Sequence, residues 1–195
     1  MVRLKIYDRD YNYLTEQEIR EWKNIKDKEI QYNRKFGKKN LFPYYPAAVR
    51  HKLSLFPNNY LDPCELKNEE KLLILIEEYM KVISNKTTDE RDILNWIRDN
   101  KAYHIIASIL KYYPFGHHDA YIFPEFQLGN SYRVDYLLIG KGSGGYEFIF
   151  VELEHPYKKI TLASDNLGET FRKGLYQVDD WNLWLQDNFK SLYLT

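Results

Sequence analysis

Tyr132-Arg-Val-Asp-Tyr-Leu-Leu-Ile139 and Tyr146-Glu-Phe-Ile-Phe-Val-Glu-Leu-Glu154, joined by Gly140-Lys-Gly-Ser-Gly-Gly145, decide how this chain is read. Both flanking runs have strand length and are apolar on both faces, as central strands covered by helices are. The glycine-rich link reads as a turn. Yet Asp135 interrupts the first run, and Glu152 and Glu154 close the second. A buried carboxylate is costly unless it is paired or meets a cation, so three of them in apolar strands require a reason.

The pairing expected across the turn supplies one. If Ile139 faces Tyr146, then Asp135 faces Phe150, with Glu152 and Glu154 two and four residues further on. Strand side chains repeat with a period of two, so all three acids project from one face. Hard cations such as Mg2+ or Mn2+ take carboxylate and carbonyl oxygens. Asp135, Glu152 and the Leu153 carbonyl can hold one, and such an ion activates water and stabilises charge on a phosphate. The alternative is a set of ion pairs with Arg133, Lys158 or Lys159. Glu125, after Pro124, is either a second metal ligand or an ordinary strand-end acid.

Working outward, Tyr121–Leu128 is a further strand and Asp165–Asp187 a long helix. Before them, Thr87 and Glu90 make a capping-box pattern that opens a helix ending near Asn100, and another helix runs from Ala102 to Tyr112. That capping role gives Glu90 a sufficient structural reason, so it is left out of the site. Residues 68–82 form a helix with Leu72, Leu73, Ile76 and Met80 on one stripe, and Thr15 and Glu18 open a helix reaching about Tyr32. Residues 2–7 fit a short strand. Residues 37–65, with four prolines, read as irregular. The polar stretch Ser84–Thr88 marks a boundary between a mostly helical N-terminal region, 1–85, and an α/β domain, 86–195.

Composition narrows the class. Of 195 residues 44% are hydrophobic, which is enough for a sizeable core and too many for a disordered chain. Net charge is zero, so no global attraction to nucleic acid exists. Between Gln31 and Leu61, however, no acid occurs, and Arg34, Lys35, Lys38 and Lys39 are interleaved with aromatics. Such a stretch either contacts phosphates and stacks on bases or is a solvated basic loop. One cysteine, Cys64, excludes an internal disulfide and fits a reducing compartment. No signal-peptide or membrane-spanning run is present, so a cytoplasmic protein without membrane attachment is expected.

The ordered motifs resemble a family. Strand acid, turn and Glu-x-Lys at the next strand end is the signature of PD-(D/E)xK nucleases. Thr88-Asp-Glu-Arg-Asp-Ile-Leu-Asn-Trp-Ile-Arg-Asp-Asn100 resembles the opening helix of the Shedu nuclease domain. Phe123-Pro-Glu-Phe-Gln-Leu-Gly129, Arg133-Val-Asp-Tyr-Leu-Leu138 and Phe150-Val-Glu-Leu-Glu-His-Pro156 resemble its core strands, and Gln177-Val-Asp-Asp-Trp181 its following helix. The match covers about residues 88–187.

The resemblance implies a restriction-endonuclease-like α/β core, a mixed central sheet flanked by helices. It implies a Mg2+- or Mn2+-dependent DNA nuclease acting in bacterial defence against phage. Asp135 and Glu152 match the metal ligands, while Glu125 and Gln177 match positions near the site. Glu154 stands where the family usually has lysine, and a glutamate there offers a ligand or a general base instead. Lys158, Lys159 or Lys173 can supply the missing cation. Lys158 is also a candidate substrate contact, and His155, which adjoins the acid cluster, either touches substrate or is simply exposed. The family pattern continues past the tryptophan-bearing helix. The sheet is therefore expected to lack its C-terminal part or to be completed by the N-terminal region or a partner, such as a second copy of the chain. A nuclease-like module that binds nucleic acid or protein without cutting is the other reading.

Overall fold

The structure, a computed structural model, describes residues 16–36, 56, 59–61, 69–113 and 119–192. The strand expected at residues 2–7 lies outside them, as do Lys38, Lys39 and Cys64. In order, the elements are α1 (Glu16–Phe36), β1 (Tyr60–Leu61), α2 (Glu69–Ser84), α3 (Glu90–Asp99), α4 (His104–Ala107), a 3-10 turn (Ser108–Tyr112), β2 (Asp119–Leu128), β3 (Tyr132–Gly142), β4 (Gly145–Val151) and α5 (Glu169–Leu192). The α/β class expected from the sequence is observed.

Among the described residues the sheet has four strands in the order β1-β2-β3-β4, and every pairing is antiparallel. Among the described residues it is therefore a meander and not the mixed sheet expected. β1 was not foreseen, because its two residues sit in a proline-rich stretch that has no strand periodicity. It joins the sheet through Tyr60↔Tyr121 and Leu61↔Ala120.

The β3–β4 register also differs from expectation. Both strands extend into the glycine-rich link, leaving only Ser143-Gly144 between the paired Gly142 and Gly145. Gly145 takes a positive φ of 124°, so its lack of a Cβ lets the tight turn close. Ile139 consequently faces Phe148, and Leu137 faces Phe150. The shift is by two residues, which preserves face parity and moves Asp135 from opposite Phe150 to opposite Glu152.

One core cluster joins the sheet to α2, α3 and α4 through Leu61, Leu75, Ile93, Ile97, Tyr103, Ile122, Tyr136 and Leu138. Both sides of residue 85 contribute to it. In α2 the buried stripe is Leu75 with Leu72, Tyr79 and Ile83, whereas Leu73, Ile76 and Met80 are exposed. The run Leu-Leu-Ile-Leu-Ile offers two helical stripes offset by one residue, and periodicity alone does not choose between them.

α5 packs at the other end of the hairpin. Trp181 is buried with Leu128 and Val134, and Phe126, Tyr132, Phe150 and Trp184 close around them. Residues of one parity thus serve two helical layers, Tyr136 and Leu138 the first and Val134 the second. The changeover falls at Glu125, whose φ of 48° departs from strand geometry. The flanking pairs Pro124↔Tyr136 and Phe126↔Val134 set Glu125 opposite Asp135.

Gly129, at the β2–β3 turn, has φ 58°, and a Cβ there would lie 2.7 Å from Cζ2 of Trp184. Gly129→Ala should therefore lose about 2–3 kcal/mol from left-handed backbone strain plus displacement of the indole. Gly144→Ala, with no described residue within 4 Å of the new Cβ, should stay within about 0.5 kcal/mol of the parent. Chemical denaturation of the two variants checks the contrast, and equal stabilities would contradict the packing of α5 on this turn.

Candidate metal centre

The meander sets two carboxylates face to face, because the pair Tyr136↔Val151 places Asp135 beside Glu152 at the end of β4. The third comes from α3. Its N-cap is Asp89, whose side chain accepts from the Asp92 amide at 2.9 Å, while the Asp92 carboxylate accepts from the Asp89 amide at 3.1 Å. The capping box expected from Thr87 and Glu90 is thus shifted two residues along. Thr88 is buried, and its hydroxyl donates to the Val82 carbonyl at 2.7 Å, tying α2 to α3. Relieved of capping, Glu90 at the first helical position turns toward the strands.

One oxygen each from Glu90, Asp135 and Glu152 lies within 4.8 Å of the others. Glu90 is the residue that sequence reasoning set aside. The available signal was Asp89-x-x-Asp92, a competing box that satisfies the helix start without it.

The electrostatics oppose this arrangement when no cation is present. Glu152 is pushed up to about 8, first by burial and then by Asp135, Glu90 and Glu154. Glu90 is raised by burial and then by Asp135, Glu154 and Asp89. Asp135 is raised by burial, offset in part by the Leu153 amide and by Arg133. That amide donates to Asp135 Oδ2 at 2.7 Å, which orients the carboxylate.

These residues fit a hard divalent cation. An ion about 2.1 Å from each ligand oxygen needs those oxygens about 3–4 Å apart, compatible with the observed spacing. Glu152 Oε2 is buried and has no hydrogen-bond partner among the described residues. A buried, unpartnered carboxylate oxygen is the kind of group that coordination satisfies.

The remaining expected residues are placed variously. Glu125 is exposed, paired with Arg133 at 3.3 Å, and does not join the three-oxygen cluster. The ion pair that the sequence offered to Asp135 is thus made by Glu125. Glu154 lies beyond the strand, half-buried, and acts electrostatically on all three clustered acids. A Cβ on Gly174 would sit 2.6 Å from Glu154 Oε1, so the glutamate fills a notch in α5. Gln177 and Trp181 follow Gly174 at helical spacing, on the face that meets the sheet. His155 is half-buried, and its Nδ1 accepts from the Tyr157 amide at 3.1 Å. Lys158 is exposed, and Lys173 pairs with Glu169 at 3.0 Å. Arg34 and Lys35 fall in the last turns of α1.

No helix of the described residues is long and apolar enough to cross a membrane. In comparisons with known proteins, no family model, no curated protein and no solved structure matches the chain.

The acids give stability a definite pH dependence. Folded, Glu152 keeps its proton to about pH 8, while in the unfolded chain it releases it near 4.5. Across that window the folded state binds more protons, so stability falls as pH rises. The Tm of protein in EDTA should decline between about pH 5 and pH 8, and Glu152→Gln should flatten the decline. A Tm that climbs over this range, or a decline untouched by the substitution, would mean that Glu152 is not held among like charges.

Proposed function

We propose that this chain is a divalent-metal-dependent DNA nuclease with a PD-(D/E)xK, restriction-endonuclease-like core and a Shedu-type role in anti-phage defence. The observation that carries the reading is the convergence of Glu90, Asp135 and Glu152 within 4.8 Å, with Glu152 Oε2 buried and unpartnered among the described residues. Oxygen-only donors of this number select Mg2+ or Mn2+ over soft transition metals. When bound, such an ion supplies Lewis acidity toward a phosphate oxygen and acidifies water.

The chain's own residues supply the rest. Glu90, Asp135 and Glu152 hold the ion, and the Leu153 amide fixes the rotamer of Asp135. Glu154, seated against Gly174, takes the proton of the attacking water on its carboxylate. Gln177, one turn along the same face of α5, offers its amide to a phosphate oxygen. We place the protein in the cytoplasm, with DNA as its partner and self-association as the means of extending its sheet.

A second reading is favoured by one observation. Glu154 occupies the position of the usual lysine and is seated against Gly174 of α5. On this reading the domain binds nucleic acid without cutting it.

A plasmid-nicking assay with Mg2+ or Mn2+, and with EDTA, separates the two. Cleavage should require metal. Glu90→Gln, Asp135→Asn and Glu152→Gln should each reduce it to the EDTA level with the fold intact, since each keeps shape and removes a ligand charge. Glu154→Ala should lower the rate on the order of a hundredfold, as loss of a positioned proton acceptor does. Glu154→Lys should retain cleavage, because it restores the lysine of the resembled motif, which positions the attacking water, while the three ligands remain. No metal-dependent cleavage by the parent protein would remove the enzymatic reading. Cleavage indifferent to Glu90→Gln would remove Glu90 from the centre.

A further inference from the structure

The link from β4 to α5 is a braced hairpin. Thr161 and Leu167 form an antiparallel bridge, the Leu162 amide donates to the Asn166 carbonyl at 2.8 Å, and the Gly168 amide donates to the Ile160 carbonyl at 2.7 Å. At the tip, Asp165 takes φ 58° and its amide donates to the Leu162 carbonyl at 3.0 Å. The base is fastened twice. The Tyr157 hydroxyl donates to the Ser84 carbonyl at the end of α2. Gly168 lies so close to the other leg that a Cβ would be 1.8 Å from the Lys159 carbonyl oxygen.

What this hairpin displays is not explained by packing. Ile160 is 59% exposed and Leu162 43% exposed, although the backbone that carries them is tied down. Lys158 and Lys159 precede them, both exposed, and the first turn of α5 adds exposed Arg172 and Lys173. The charges converge around one residue. The exposed Glu169 carboxyl is held below its ordinary range first by the hydrogen bond from Lys173, with Arg172 and Lys158 adding to the pull. The acids Asp165 and Glu169 do not balance these four cations. The group also lies next to Glu154, because Lys173 adjoins Gly174, into whose notch Glu154 fits.

We propose that the 157–168 hairpin and the first turn of α5 form a polynucleotide-binding surface. Lys158, Lys159, Arg172 and Lys173 contact backbone phosphates, and Ile160 and Leu162 press against sugars and base edges in a groove. The proposal rests on the nuclease reading for its partner. The acidic cluster repels a bare phosphodiester, and a cationic shelf near it offsets that repulsion while the strand is drawn in. Aliphatic side chains flanked by cations are the combination by which protein loops enter a nucleic-acid groove.

The test is fluorescence anisotropy with the full chain in EDTA, so that cleavage plays no part. The probes are a labelled DNA duplex of about 20 base pairs and its single strand, titrated between about 50 and 200 mM salt. Replacing Lys158, Lys159, Arg172 and Lys173 together by alanine should weaken binding and make the log–log salt slope shallower by about 3 to 4, at roughly 0.9 per lost phosphate contact. Ile160→Asn with Leu162→Asn should weaken binding about tenfold at every salt concentration and leave the slope unchanged, because lost apolar burial releases no counterions. Alanine at the exposed Lys101 and Lys111, which belong neither to the hairpin nor to α5, should leave both quantities at parent values. A parent protein that binds neither probe overturns the proposal, as does an unchanged slope in the quadruple variant. DNA held through this surface but not cut with Mg2+ or Mn2+ leaves the surface standing and removes the nuclease reading. Cutting with an unchanged slope does the reverse.

Discussion

Carboxylates drawn from three separate segments meet where the meander exchanges one helical layer for another. Like charges a few ångströms apart and half out of water repel, and only a framework fixed by other forces can hold them together. That framework is the antiparallel register Tyr136↔Val151, which opposes Asp135 to Glu152, and the packing of Ile93 and Ile97, which seats α3 on the sheet. The apolar clusters are therefore what allows the site to exist. Hydrophobic burial is non-directional, but the two-residue β3–β4 turn and the braced start of α3 convert it into a defined placement of three oxygens.

The secondary elements were largely legible because their periodicities are local. The helices at 16–36, 69–84, 90–99 and 169–192 and the strands at 119–128, 132–142 and 145–151 all lie near their expected spans. What the sequence did not reveal were choices between close equivalents. Two apolar stripes of α2 were one residue apart, and tertiary packing selected Leu75 over Leu73 and Ile76. Four successive residues, Thr87 to Glu90, offered competing capping arrangements, and the burial of Thr88 settled on Asp89. The glycine-rich link permitted turns of several lengths, and strand pairing shortened it to two residues.

Two of the three clustered acids were legible in the same way. Asp135 and Glu152 stand out because an acid in an apolar strand is conspicuous, and a register error of two residues does not change its face. Glu90 was hidden because an acid near a helix start has an ordinary explanation. Glu125 was attractive by position along β2, but its left-handed backbone directs it to Arg133. Carboxylate choice thus depended on backbone conformation at single residues, which composition and spacing do not encode.

The order in which the chain supplies its three acids has a thermodynamic corollary. Asp135 and Glu152 are opposed by a hairpin whose partners are close in sequence, whereas Glu90 arrives only when α3 docks on the sheet. The three-oxygen set is therefore a property of the assembled core and is not contained in the meander alone. Any cation that engages all three oxygens binds the docked state in preference to the undocked one, so its binding free energy is added to the cohesion between α3 and the sheet. Occupancy of the centre and integrity of the helical layer are two readouts of one equilibrium.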